Sequence, residues 1–318
     1  MRQLVHDRVL EDPGRAADRS GMRALTPRFA AACLALAAPL ALADTGKLPL
    51  TGGVTSIDGA AGGGLTPWAT IGSNATDGEL GATVAVTGVV TRNYDLRVQG
   101  GLLALDDRYE VSIARQDFAT NATGRALGLP GLHLKMDTLG AKLRVAGDAI
   151  LDSDRWMPQV AVGVEVKRTD ADGLAPTLHA LGAATQGVDW TVSATKLLLG
   201  DGLLVNATLR LTKANQNGLL GFGSTGHDRY RLLPEFSVAW LASRRLAFGA
   251  EYRAKPDNLN PSVLGAGLKE DDWWDLFAAW QPTQHVSLTV AWVQLGRIVP
   301  AVATRRQDGG YASLQLAF

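Results

Sequence analysis

Glu251 and Arg253 stand one residue apart, as do Glu165 and Lys167, and Arg210 lies between Thr208 and Thr212. In an extended chain, residues two apart share a face, so each set places ionisable or hydrogen-bonding groups on one side of a strand. The intervening residues are apolar. Leu246, Phe248, Ala250, Tyr252 and Ala254 oppose Arg245, Glu251, Arg253 and Lys255; Val160, Val162, Val164 and Val166 oppose Gln159, Glu165 and Lys167; Val205, Ala207, Leu209 and Leu211 oppose Asn206, Thr208, Arg210 and Thr212. Such a wall does electrostatic chemistry: fixed charges of both signs hold and sort ions or polar solutes. Its expected members are Arg97, Glu110, Lys142, Arg144, Glu165, Lys167, Arg210, Glu235, Glu251, Arg253 and Asp275. On this reading some of them serve only to neutralise one another, because a buried charge needs a partner.

Bond-breaking chemistry finds less support. Acyl transfer needs a nucleophile, a base within hydrogen-bond reach and a group that orients the base. His133, His179, His227 and His285 fall in or beside presumptive loops with no serine at a recognisable spacing, no metal-like pairing and no G-x-S-x-G. Gly221-Phe222-Gly223-Ser224-Thr225-Gly226 matches G-x-G-x-x-G, but no strand and helix flank it as a dinucleotide site requires. Glu270, Asp271 and Asp272 form an acidic run that reads as a solvated loop, with a divalent-cation site as the sharper alternative. Asn74, Asn121 and Asn206 open N-x-T sequons, a short pattern that by itself assigns no function. No cofactor is expected.

The elements that position the wall are short and regular. Twelve strands are expected near 79–91, 94–105, 108–117, 134–147, 158–168, 187–199, 202–214, 230–241, 246–255, 272–281, 285–296 and 309–318, each about the ten residues a tilted membrane strand needs. Long Gly-, Asp- and Asn-rich connections at 118–133, 169–186, 215–229, 256–271 and 297–308 alternate with shorter ones at 106–107, 148–157, 200–201, 242–245 and 282–284. Only 92–93 breaks the alternation. Loops segregated by length belong to an outer-membrane barrel with short periplasmic turns and long external loops. Trp190, Tyr230, Trp240, Trp274, Trp280, Tyr311 and Phe318 lie near strand ends and are expected in interfacial girdles.

Both termini agree. The last residues, Tyr311 to Phe318, alternate and stop on an aromatic, which resembles the signal read by barrel-assembly machinery; Tyr311, Leu314, Leu316 and Phe318 are its expected elements. From Met22, the basic Arg23 and Arg28, the apolar run 29–42 and Ala41-Leu42-Ala43 make a secretory signal with cleavage before Asp44. Residues 1–43 are therefore read as signal peptide, with Met22 as its possible true start. Cys33 lies inside the apolar run, so lipid anchoring is not expected. Of 31 basic and 31 acidic residues, 6 and 4 precede residue 44, which leaves the mature 275 residues at a net charge of −2 and without cysteine. That balance excludes a nucleic-acid partner, whose footprint would be basic.

Leu48-Pro49-Leu50-Thr51-Gly52-Gly53-Val54, Gly59 to Leu65, Pro67-Trp68, Asp154-Arg155-Trp156, Pro158 to Ala161, Leu219 to Gly223, Tyr252-Arg253 and Lys255 to Leu259 together resemble a proteobacterial family catalogued as domain of unknown function 3034. The resemblance spans essentially all of the mature chain and implies a Gram-negative outer-membrane protein, without a catalytic residue to carry over. Residues 79–318 are thus expected to form an all-β transmembrane barrel of twelve strands. Residues 44–78, glycine-rich and unable to bury much side-chain area, are expected either inside the lumen or as a periplasmic leader; were they to add two strands, the barrel would have fourteen. The expected function is a narrow passive channel for small solutes, monomeric, in contact with outer-membrane lipid and lipopolysaccharide. A structural or partner-anchoring barrel and, less favoured, a lipid-active enzyme are the rivals.

Overall fold

A computed structural model describes residues 47–150, 156–259 and 265–318. The expected signal peptide and cleavage site lie outside the described residues. Twelve antiparallel strands close into a barrel: β3 (Leu80–Thr91), β4 (Asp95–Leu105), β5 (Tyr109–Ala119), β6 (His133–Ala146), β7 (Gln159–Asp170), β8 (Gln186–Leu198), β9 (Leu203–Thr212), β10 (Arg231–Ser243), β11 (Leu246–Arg253), β12 (Trp273–Thr283), β13 (Val286–Gln294) and β14 (Asp308–Ala317). Their bounds fall within two residues of the expected ones. Each strand pairs with its sequence neighbours, and β14 pairs with β3 from Gly309↔Thr91 to Ala317↔Thr83 to close the ring. Closure leaves no unpaired strand edge, which hydrocarbon would not tolerate. Two residue pairs before the barrel, β1 (Val54–Thr55) and β2 (Ala61–Gly62), form a two-stranded sheet that pairs with no barrel strand, so the barrel has twelve strands and not fourteen.

Alternation fixes which side chains face lipid. Val162, Val192, Leu209, Phe236, Trp240, Phe248, Leu276 and Trp280 are exposed on the outer surface, while Thr191, Ser193, Thr208, Glu251 and Gln315, from the opposite parity, are buried inside. A register slip of one residue would exchange the two sets. Three bulges, at Arg144/Ala146, Leu241/Ser243 and Trp280/Thr283, all lie at the short-turn end, where barrel rims commonly carry them. Trp240 stacks on Phe248 with ring centroids 6.5 Å apart, and Trp274 meets Trp292 edge-on at 5.0 Å. Tyr311 does not join this girdle. Its parity in β14 is that of Ser313 and Gln315, and its ring is buried inside the barrel.

Candidate functional site: a filled, charged lumen

The lumen is occupied. Residues 51–75 are almost continuously buried, and they lie among the inward side chains of the wall. The segment buries Val54, Ile57, Leu65, Trp68 and Ile71 among Gly, Ala, Ser and Thr, and most of it forms no sheet, so its peptide groups need other partners. The wall supplies them. Glu110 accepts from the Ala61 N–H at 3.0 Å and the Gly72 N–H at 2.9 Å, and Lys142 donates to the Ala61 and Thr70 carbonyls at 2.9 and 3.0 Å. Glu251 accepts from the Leu65 and Thr66 N–H groups at 2.8 and 3.2 Å and from the Thr66 hydroxyl. Gln159 donates to the Ala69 carbonyl at 2.7 Å, Gln116 to that of Ile57 at 2.9 Å, and Thr208 to that of Pro67 at 2.8 Å. Trp68, on the segment, donates its indole N–H to Ser237 at 2.9 Å.

The glycines permit this approach. A Cβ on Gly63 would sit 2.3 Å from Glu251 Oε1, and one on Gly62 would sit 2.0 Å from the Thr66 carbonyl oxygen. At Gly62 the clash is with the segment's own backbone, and at Gly63 the Glu251 carboxylate would have to move off its partners.

One carboxylate of the segment is the hub of an ion cluster. Asp58 lies 2.8 Å from Arg253, 3.2 Å from Lys167 and 3.7 Å from Arg210. The same three cations meet wall carboxylates: Lys167 meets Glu165 at 3.2 Å and Asp189 at 2.9 Å, Arg210 meets Glu165 and Glu235 at 2.6 Å each, and Arg253 meets Glu235 at 3.2 Å. Every member is buried, so each pair is held at low dielectric and loss of one partner strands the other.

A loop closes the long-loop end over this cluster. Gln216 and Asn217 adopt left-handed backbone conformations, φ 45° and 61°, which non-glycine residues hold only when their surroundings compel it. The bend brings Asn217 to the hub: its amide donates to Asp58 at 2.8 Å, and its oxygen accepts from Lys167 and Arg253. Glu270 accepts the Gln216 N–H at 2.9 Å and lies 3.5 Å from Lys255, whose ammonium is 3.7 Å from the centre of the Trp273 ring. Burial pushes the Glu270 carboxyl up to about 7 against the opposing pull of Lys255. It pushes the Lys255 ammonium down to about 8 against the opposing pull of Glu270.

Ten of the eleven expected lumen residues face inward. Glu110, Lys142, Glu165, Lys167, Arg210, Glu235, Glu251, Arg253 and Asp275 are buried, and Arg144 stands at the short-turn rim, 2.9 Å from Asp107. Arg97 is the exception. In β4 the inward parity belongs to Leu96, Val98, Leu102 and Ala104; Leu96 and Val98 pack with Ile57, Leu65 and Phe118, so Arg97 is turned outward and exposed. It joins outer-face charges such as Arg115, 3.7 Å from Asp137. Arg245, on the inward parity by spacing, is exposed in the β10–β11 turn. Asp58, Asp189 and Asn217 were missing from the expected set. Asp189 was findable, since it shares parity with Thr191, Ser193 and Thr195. Asp58 and Asn217 lie in irregular backbone, where no period points to them.

The other constellations resolve into ordinary contacts. Glu270, Asp271 and Asp272 each have a protein partner, in Lys255, Arg297 and Tyr252 respectively, and no group of three potential metal ligands occurs among the described residues. His133 Nδ1 lies 2.5 Å from Asp117 on the exposed outer face, an orienting contact for a base.

These features define a β-barrel of the outer-membrane type with an internally folded N-terminal segment. Its twelve strands, aliphatic exterior and polar interior fit that class and no soluble one. The chain belongs to the family described as Protein of unknown function (DUF3034), whose model matches residues 51–315. No curated protein matches it. Among solved structures it is similar to the NanC porin (8% identity, TM-score 0.49, covering 74% of this chain and 100% of that chain) and to a KdgM porin (7%, 0.45, 74% and 99%). It is also similar to outer membrane phospholipase A from Escherichia coli (9%, 0.39, 77% and 94%). Identities and scores this low say nothing of what the barrel passes or cleaves.

Proposed function

We propose that the protein is a monomeric channel of the Gram-negative outer membrane, closed at rest by residues 51–75 and passing small solutes when that segment shifts. The observation that carries this reading is the chemistry of the contact between segment and wall. A core built only for stability is served by apolar packing, and replacing buried ion pairs by hydrophobic residues is often neutral or stabilising. Here apolar contacts of Ile57, Leu65, Trp68 and Ile71 are joined by polar and charged ones from Glu110, Lys142, Gln159, Thr208, Arg210, Glu251 and Arg253. With the segment displaced, those groups would line a wettable bore and set its selectivity. Twelve strands give a bore between the side-chain-filled eight-stranded case and the open channels of sixteen or more.

In this reading the long loops are external and the short turns periplasmic. The aliphatic exterior meets outer-membrane lipid and lipopolysaccharide, and the C-terminal strand is what assembly machinery reads. The rival is a structural barrel without transport, which the filled lumen favours. Planar-bilayer recording of the refolded chain, intact and with residues 51–75 deleted, separates the two. Current that appears or grows on deletion supports the channel; a heat-modifiable deleted barrel that inserts and passes neither ions nor a small sugar refutes it.

A further inference from the structure

We propose that Glu251 and Asp275 form a binding site for a hard divalent cation of the calcium type inside the barrel. The two residues are register partners on β11 and β12, and both are buried on the inward face. Such partners have Cβ atoms about 5 Å apart, a spacing at which like charges repel.

Other buried luminal carboxylates have cations. Glu110 has Lys142, while Glu165, Asp189, Glu235 and Asp58 share Lys167, Arg210 and Arg253. That central cluster already holds four acids against three bases, so it has no cation to lend. Arg253, two residues along from Glu251, is directed to Asp58 and Glu235. Neither Glu251 nor Asp275 makes an ion pair among the described residues.

Unfilled oxygen valences converge on the same place. Asp275 Oδ1 and Tyr311 Oη are buried without a hydrogen-bond partner, whereas Glu251 Oε2 accepts a single bond, from Leu65 N–H. Gly64 lies between two of these groups. A Cβ there would sit 3.3 Å from both Glu251 Oε2 and Tyr311 Oη, so the missing side chain leaves the gap between them open. Two carboxylates and a phenolic oxygen are hard oxygen donors of the kind calcium-type ions take, and two positive charges match the two negative ones. A thiol- or imidazole-seeking metal finds no ligand there.

The test uses the intact, refolded barrel and terbium ion as a luminescent calcium substitute, excited through nearby aromatic rings. Saturable sensitised emission that calcium displaces, and that weakens at least tenfold in Asp275→Asn and in Glu251→Gln while Asp137→Asn on the outer face leaves it unchanged, is the expected result. Tyr311→Phe provides a further isosteric variant should a carboxylate change prevent folding, and it is expected to weaken binding by a smaller factor. Emission equal in wild type and in Asp275→Asn, or no saturable binding in a heat-modifiable wild-type barrel, overturns the site and would leave the pair sharing a proton instead. Binding is read with the luminal segment in place, so the outcome is independent of whether the barrel conducts.

Discussion

Asp58 and Arg253 are 195 positions apart in sequence and 2.8 Å apart in the folded chain, one on the segment inside the barrel and the other on its wall. Asp58→Ala would leave Lys167, Arg210 and Arg253 balanced by Glu165, Asp189 and Glu235 on the wall, but would take from Arg253 and Asn217 their acceptor on the segment. Leaving a buried donor without its acceptor typically costs roughly 1–3 kcal/mol, more where the donor is charged. The strand ladder does not depend on that contact, so the loss should fall on the segment. Limited proteolysis should nick residues 47–78 at least tenfold faster than in wild type while the barrel stays heat-modifiable, and channel openings should become more frequent in bilayers.

Gly63→Ala tests the same docking sterically. Its Cβ would meet Glu251 Oε1 at 2.3 Å, and over-packing of this kind costs about 1–3 kcal/mol. Gly88→Ala on β3, where nothing lies within 4 Å, is the matched control. Faster nicking of the first variant and wild-type behaviour of the second are expected.

The loop over the long-loop end should open with a defined pH dependence. Glu270, raised from 4.5 to about 7, gives the closed loop stability that is complete below pH 4.5 and lost as pH rises through 7. Lys255, lowered from 10.5 to about 8, gives stability that is complete above pH 10.5 and lost as pH falls through 8. Closure is therefore weakest between about pH 7 and 8. Hydrogen exchange at the Gln216 amide, corrected for its intrinsic rate, should show the least protection in that window. Glu270→Gln should flatten the acid limb and keep the alkaline one.

Phe318 closes the seam between first and last barrel strands: its N–H donates to the Ala82 carbonyl at 2.8 Å, its own carbonyl accepts from Ala82 at 3.1 Å, and its ring stacks on His285 at 5.3 Å. Deleting it should reduce the yield of heat-modifiable barrel severalfold in cells. Full yield from the truncated chain would show that neither the seam nor assembly needs it.

The barrel was legible because lipid and lumen impose opposite chemistry on alternate residues, and strands such as β7 and β9 carry that contrast along their whole length. β4 is not, because Leu96, Val98 and Leu102 lie on one face and Leu103 and Leu105 on the other, so charge alone points Arg97 to the lumen. What decided its direction is Ile57 and Leu65, which need apolar partners and come from outside the strand pattern. The hub was hidden for a related reason. Asp58 is a lone acid in a run without period, and Asn217 reaches it through an irregular bend in which Gln216, a residue type that rarely adopts it, also takes the left-handed conformation. As an aromatic near a strand end Tyr311 suits the membrane interface, but its parity with Ser313 and Gln315 points inward, and parity decides.

The luminal segment begins and ends at one rim. Lys47 lies 2.5 Å from Asp107 in the β4–β5 turn, and the Gly78 N–H donates to Asp106 of the same turn at 2.7 Å. From Lys47 the first attachments follow one another along the chain: Leu50 to Gln281, Thr55 to Gln315, then Asp58 to Arg253. Tension applied at the N-terminal end would load these contacts in succession, as a zipper is opened, and would not shear them together. The force needed is set by the strongest single attachment, so a modest pull at the short-turn rim could withdraw a segment whose total binding is large, while a push from the opposite end would meet all its contacts at once.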